Sequence, residues 1–425
     1  MLRQIKTKFA SEFIKNSLTI FSGNLIAQAI PFLAEPVLAR LFAPSDFAVL
    51  AVYLSVANLF SIIATARYEM AIILPKNDKQ AINIVGLSVI ISLIVSVLSL
   101  IIVWVFNTNI CKILQNDEIS SYLFLVPLST LSMAWYHIFN YWNVRKKQFR
   151  NVAYAKSFQG ISTVGVTVGL ASLKSAGLIF GQIFGYFFGM IIMLFRFLQK
   201  DRKELKNISK EEMKSVAITY QNFPKINTFH AFCDVLKQSG EVFLLSYYYL
   251  KEQVGLHSRT IRLLFAPSAL LGAAIGQVFY QKASETYQNN GNLKRLVIKV
   301  LGLLFLISFP AFLSVALWGD DLFAWFLGEE YRIAGVYGRY LTPYLFLSFM
   351  VSPISQIPLI VNKQKQAFLL SLCGHSLYLF AIIIGGIYRD ILLGFTFISI
   401  FLGIYYLFLI LWLIKISGIK KTNLQ

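Results

Sequence analysis

Ionisable and hydrogen-bonding side chains recur at helical spacing inside segments of this chain that are otherwise apolar. His230, Asp234, Lys237 and Glu241 follow at i, i+4, i+7 and i+11, which places them on one face of a helix. Asn24, Gln28, Pro31 and Glu35 repeat that spacing. Lys156, Gln159, Thr163 and Thr167 share a third face, and Arg259 and Arg262 sit one turn apart. Glu69 continues a face begun by Asn58, Ser61 and Thr65. Guanidinium and ammonium groups held this way grip anionic oxygens such as those of a phosphate. Carboxylates among them can exchange a proton or a small cation.

The elements that must carry these groups are membrane spans. The chain has 425 residues, 57% of them hydrophobic and 14% charged, with a mean hydropathy of +0.64. Apolar runs recur at a length that crosses about 30 Å of hydrocarbon as a helix. We expect about twelve, over 17–41, 47–74, 83–106, 120–142, 153–173, 176–198, 222–250, 254–280, 296–317, 337–361, 367–388 and 391–414. The amino terminus is basic, but the run after it lacks a small-residue cleavage site, so it reads as a retained first span. Of the 11 prolines, all but Pro44 and Pro75 fall within these spans, where each softens its helix.

The net charge of +19 needs a topological explanation, because no stretch is long enough to fold a basic face for nucleic acid. With the amino terminus inside, cytoplasmic segments hold about 26 Lys and Arg and outside loops about 5. That predicts an even number of spans with both termini cytoplasmic. The largest cluster, KDRKELKNISKEEMK, divides the chain near its middle and reads as a solvated linker beside anionic lipid. It sets expected domains of 1–206 and 207–425. Laying Ala34–Leu50 on Gly240–Leu256 matches Glu35 with Glu241, Leu38 with Leu244 and Asp46 with Glu252. The first and seventh spans then carry matching polar stripes, as expected if two six-helix halves face one cleft.

Ionisable groups at membrane depth are costly and normally face a bundle interior or a cavity. Arg67, Lys156, Lys225, Lys237, Arg259, Arg262 and Arg339, set against Glu35, Glu69, Asp234 and Glu241, leave an excess of about three positive charges in the spans. A cavity of that sign favours an anionic passenger. In a continuous helix Arg67 lies off the Glu69 face and is not its partner. It then either snorkels to the cytoplasmic headgroups or pairs with a carboxylate on a neighbouring helix. Lys237 and Glu241 are spaced to neutralise one another as readily as to bind. The three cysteines fit neither a disulfide framework nor a metal site, and no loop carries a catalytic pair or nucleophile motif.

SGNLIAQAIPFLAEPVLARLFAPSDFAVLAVYLSV (22–56), RYEMAIILPKNDKQA (67–81) and YWNVRKKQFRN (141–151) resemble the Wzx-type polysaccharide flippases of the multidrug/oligosaccharidyl-lipid/polysaccharide (MOP) exporter superfamily. Ala48 and Val49 depart from the glycine often found after the Asp-Phe pair. The resemblance implies an all-α inner-membrane protein of two six-helix bundles that is not an enzyme. It would flip undecaprenyl-diphosphate-linked oligosaccharide by alternating access for O-antigen or capsule synthesis. It would work as a monomeric unit beside a polysaccharide polymerase and a chain-length regulator. No cofactor is implied beyond an H+ or Na+ gradient, for which Glu35, Glu69, Asp234 and Glu241 are the candidates. Arg259, Arg262, Lys237, Lys156, Arg67, Arg339, Asn24 and Gln28 are the candidate cavity residues. A MATE-like small-molecule exporter is the nearest competing reading, and a membrane polymerase or ligase is more distant.

Overall fold

The computed structural model describes residues 29–289 and 291–419. Asn24 and Gln28 lie outside them. The described residues are helical, and they separate into two compact units that divide between Phe243 and Leu244.

The first unit contains α1 (Glu35–Leu41), α2 (Pro44–Ile63), α3 (Asp78–Ile113), α4 (Ile119–Leu123), α5 (Val126–Arg145), α6 (Phe149–Gly169), α7 (Ser175–Lys200), α8 (Lys210–Thr219) and most of α9 (Thr228–Tyr248). Ser239 on α9 donates its hydroxyl to the Ser55 carbonyl of α2 at 3.0 Å, which ties the middle of α9 to this unit. The LFAPSDF turn is a helix start. Pro44 occupies the first turn of α2, where its missing N–H costs nothing, and Asp46 accepts from the Ala43 N–H at 3.0 Å and from the Ser175 hydroxyl at 2.7 Å.

The second unit contains α10 (Lys251–Gln288), α11 (Leu293–Leu327), α12 (Arg332–Val351), α13 (Ile357–Ile360), α14 (Gln364–Ile387) and α15 (Ile391–Ile416). Pro267, Pro310 and Pro343 lie inside helices as expected. Pro353 and Pro358 mark interruptions instead: α12 stops at Val351, Pro353 sits in a 3-10 turn and Pro358 in the first turn of the short α13, so the expected span 337–361 corresponds to one membrane-length segment, Glu329–Ile360, whose end is not continuous α-helix. Proline cannot supply the backbone N–H that would carry the helix through.

Among the described residues, eight segments are long and apolar enough to cross a membrane. The long helices left out are α6, α9 and α10. These are the helices that carry the polar stripes, and their composition suits contact with protein or an aqueous cavity better than lipid. On α6 the stripe is partly a packing seam. A Cβ at Gly181 or Gly185 of α7 would collide with Thr167 or Thr163, so the two helices approach closely enough to pack hydroxyl against glycine.

Candidate functional site

The chain Ala64–Leu74 explains why charge is placed in an apolar run. Sequence pattern extends the second span to residue 74, but α2 stops at Ile63. Ala66 and Arg67 then adopt left-handed backbone, φ 48° and 60°, and Tyr68–Ile73 forms a 3-10 helix. Left-handed conformation costs a non-glycine residue about 1–2 kcal/mol, so the surroundings must impose it.

That bend overturns one expectation. Arg67 Nη1 stands 3.8 Å from Glu69 Oε1, so the two are partners after all. The argument against the pair assumed a continuous α-helix, and the left-handed turn removes the assumption. Glu69 also accepts a hydrogen bond from Thr65, the residue expected on its face. The carboxylate is 4% exposed. Arg67 Nε is buried with no hydrogen-bond partner among the described residues, which leaves it a donor for an anionic oxygen.

Arg145, at the end of α5, holds the far end of this segment. Its guanidinium donates to the carbonyls of Ile72, Ile73 and Pro75 at 3.1, 3.4 and 2.7 Å, and to Asp78 Oδ1 at 2.9 Å. Lys146 reaches Asp78 as well, and it lies 5.1 Å over the ring of Trp142, whose indole N–H donates to Asp201 at 2.9 Å. Thus RYEMAIILPKND and YWNVRKK, far apart in sequence, form one clamp. Carbonyls at the end of a short helix need such partners, and a planar fork satisfies several at once.

His137, in the middle of α5, was not singled out from sequence. It is exposed and close enough to Arg67 and Lys156 for both charges to act on it. Tyr141, one turn on, stands in the same relation to Glu69 and Arg67. The first unit therefore gathers Glu69, Arg67, His137, Tyr141 and Lys156 from three helical segments. Glu35 is fully buried on α1, within protein rather than facing lipid. On α9 the expected stripe shares one face, His230 Nδ1 lies 3.3 Å from Asp234, and Lys237 and Glu241 are half-buried beyond them.

In the second unit Arg259 is 4% exposed and Arg262 half-buried on α10. Thr260 fixes this part of α10 against α12 by donating to the Ala334 carbonyl at 2.7 Å. One turn further on, the small residues of α10 leave a cavity of about 310 Å³ lined with Phe265, Ser268, Ser348, Ser352, Ser355 and Gln356. Gly272 and Gly276 make room for it and bring Ser352 and Pro353 close. Leu264, Leu345 and Phe349 complete walls that mix hydroxyls and an amide with apolar and aromatic side chains, a set that suits a neutral amphipathic group such as a sugar better than an ion. Arg339 pairs with Asp320 at 3.3 Å and donates to the Ala316 carbonyl at 3.2 Å. It thereby satisfies backbone freed where α11 kinks at Trp318.

Residues 37–334 match the family described as polysaccharide biosynthesis protein. No curated protein is similar enough in sequence to match. Among solved structures, the lipid II flippase MurJ in an inward closed conformation superposes with a TM-score of 0.68 at 16% identity, covering 95% of this chain and 90% of that one. An inward-facing multidrug resistance MATE family transporter of the MOP superfamily gives 0.67 at 12% identity, covering 93% and 96%. The Vibrio cholerae MATE transporter VcmN in its bent form gives 0.53 at 13%, covering 97% of each chain. At such identities the likeness shows the fold alone. With the family match across its spans and clamp motifs, the chain belongs to the polysaccharide biosynthesis protein family, as a multi-pass membrane protein that shares the fold of the MurJ and MATE structures.

Proposed function

We propose that the protein flips an undecaprenyl-diphosphate-linked oligosaccharide from the cytoplasmic to the periplasmic leaflet of the inner membrane, for O-antigen or capsule assembly. The observation that carries the reading is the buried Arg259, with Arg262, on the same helix that further along lines a cavity bearing four serines, in a chain of this family. The arginines suit a diphosphate and the serines suit sugar hydroxyls. Arg67 and Lys156 supply positive charge in the first unit, and Glu69 is the candidate to exchange the coupling ion, with Glu35, Asp234 and Glu241 behind it. In this reading the termini and the basic linker are cytoplasmic, and 1–206 and 207–425 are the two repeats. A polysaccharide polymerase and a chain-length regulator act downstream.

A MATE-like exporter of organic cations is the second reading, favoured by the shared fold. Such a passenger calls for acidic, aromatic walls, and the excess of cations in the spans has the opposite sign. Deletion of the gene in its host separates the two. Lipid-linked oligosaccharide should accumulate on the cytoplasmic side while surface polysaccharide disappears. Normal surface polysaccharide in the deletion strain, with raised sensitivity to cationic drugs, overturns the flippase reading.

A further inference from the structure

The segment from Arg202 to Thr219, whose charge suggests a solvated linker beside anionic lipid, is also firmly held. Its inner side is fastened to the first unit at several points. Asn83 of α3 donates to the Asn207 carbonyl at 2.9 Å and accepts from the Ser209 N–H at 3.0 Å. Lys79 pairs with Glu212 at 2.7 Å. Ile208 and Met213 reach Gly86, and Val216 is buried. Ser209 caps α8 by accepting from the Glu212 N–H, so the helix has its own start signal.

The outer side is of another kind. Arg202, Lys203, Lys206, Lys210 and Lys214 are all exposed, with Leu205 at 38% and Ile218 at 59% exposure among them. Of the nearby acids, Glu212 is engaged by Lys79 and Glu204 accepts from Asn207 at 3.0 Å, leaving Glu211 as the exposed carboxylate. This is a rigidly held cationic face with apolar side chains in it.

Its depth identifies the occupant. The 36 residues of α3 extend about 54 Å, well beyond about 30 Å of hydrocarbon. Large apolar side chains become exposed on α3 from Ile90 onward, through Leu93, Ile94 and Val97 to Trp104 and Phe106. The linker packs along the turns just before that belt, at Lys79, Asn83 and Gly86. Its outer face therefore lies at headgroup level.

We propose that this face docks onto anionic phospholipid headgroups, with the basic side chains on phosphates and Ile218 and Leu205 entering the interface. The docked linker bears directly on the Glu69 segment, because Tyr68 donates its hydroxyl to the Ala217 carbonyl at 2.9 Å and packs in one cluster with Val216 and Ala217. Anionic lipid thereby steadies the 3-10 helix that holds Glu69. The inference does not depend on which substrate is carried.

The test uses the full chain in nanodiscs, with Cys111, Cys233 and Cys373 replaced by Ser and Ile218→Cys labelled with an environment-sensitive fluorophore. Quenching by lipid spin-labelled near the headgroup should be at least about twofold stronger in phosphatidylcholine doped with phosphatidylglycerol than in phosphatidylcholine alone. Neutralising the five exposed cations to Gln should abolish the difference while the protein elutes unchanged in size. Equal quenching in both lipids overturns the proposal, as does a label that only aqueous iodide reaches, which is the result if this face stays in water, open to a soluble partner instead.

Discussion

Arg259→Gln should lower surface polysaccharide export by tenfold or more while the protein in the membrane stays within about twofold of normal. Charge-assisted hydrogen bonds contribute about 1.5–3 kcal/mol each, and about 1.4 kcal/mol is a factor of ten. Arg259 is 4% exposed, so truncation to Ala would confound lost binding with a buried void; Gln keeps hydrogen-bonding capacity and most of the length. Arg259→Lys should fall between the two, since it keeps the charge but loses the planar fork that matches a diphosphate. Arg262→Gln should be milder, its side chain being half-buried. If export drops only as far as abundance drops in the Gln and Lys variants alike, Arg259 is a structural cation and the substrate site lies elsewhere.

The second large effect is expected at Glu69. Glu69→Gln keeps the shape and can still accept from Thr65, but it cannot take up or release an ion. Gradient-driven export should fall by tenfold or more, on the scale at which a single essential titrating group matters, while exchange down the substrate's own gradient persists. The competing account is that Glu69 only neutralises Arg67, 3.8 Å away. In that case Glu69→Gln strands a buried guanidinium and abundance falls, and adding Arg67→Gln restores both abundance and export. Measuring export and membrane abundance in the two single variants and the double variant decides it: rescue by the double variant contradicts the coupling role.

The spans were legible because an apolar run of bilayer length has few alternatives, and α6, α9 and α10 stood out by the same logic, through polar residues at helical spacing. The break after Ile63 was not. ATARYEMAIIL contains no glycine or proline, and its apolar content suits continued helix, so nothing local announces left-handed backbone at Ala66 and Arg67. The partners of this segment are distant in sequence: the Arg145 fork takes the carbonyls of Ile72, Ile73 and Pro75, and Tyr68 donates to the Ala217 carbonyl. His137 was missed for a related reason. Its charged neighbours, Arg67 and Lys156, come from other helical segments and leave no spacing to read. That the linker beside anionic lipid is also fastened to the helices was not legible, because its partners Asn83, Lys79 and Tyr68 all lie more than a hundred residues earlier. By contrast, the cavity on α10 has a local cause, since a helix without side chains at Gly272 and Gly276 leaves room beside it.

Movement of a lipid-linked diphosphate sugar by this chain alone is the property to measure. The purified protein should be reconstituted into vesicles carrying a fluorescent undecaprenyl-diphosphate oligosaccharide, and the fraction of label accessible to a membrane-impermeant quencher followed after an ion gradient is imposed. The prediction is protein-dependent redistribution between leaflets that Arg259→Gln and Glu69→Gln both suppress. Unchanged leaflet distribution with active wild-type protein, alongside gradient-driven uptake of an organic cation by the same vesicles, would contradict it.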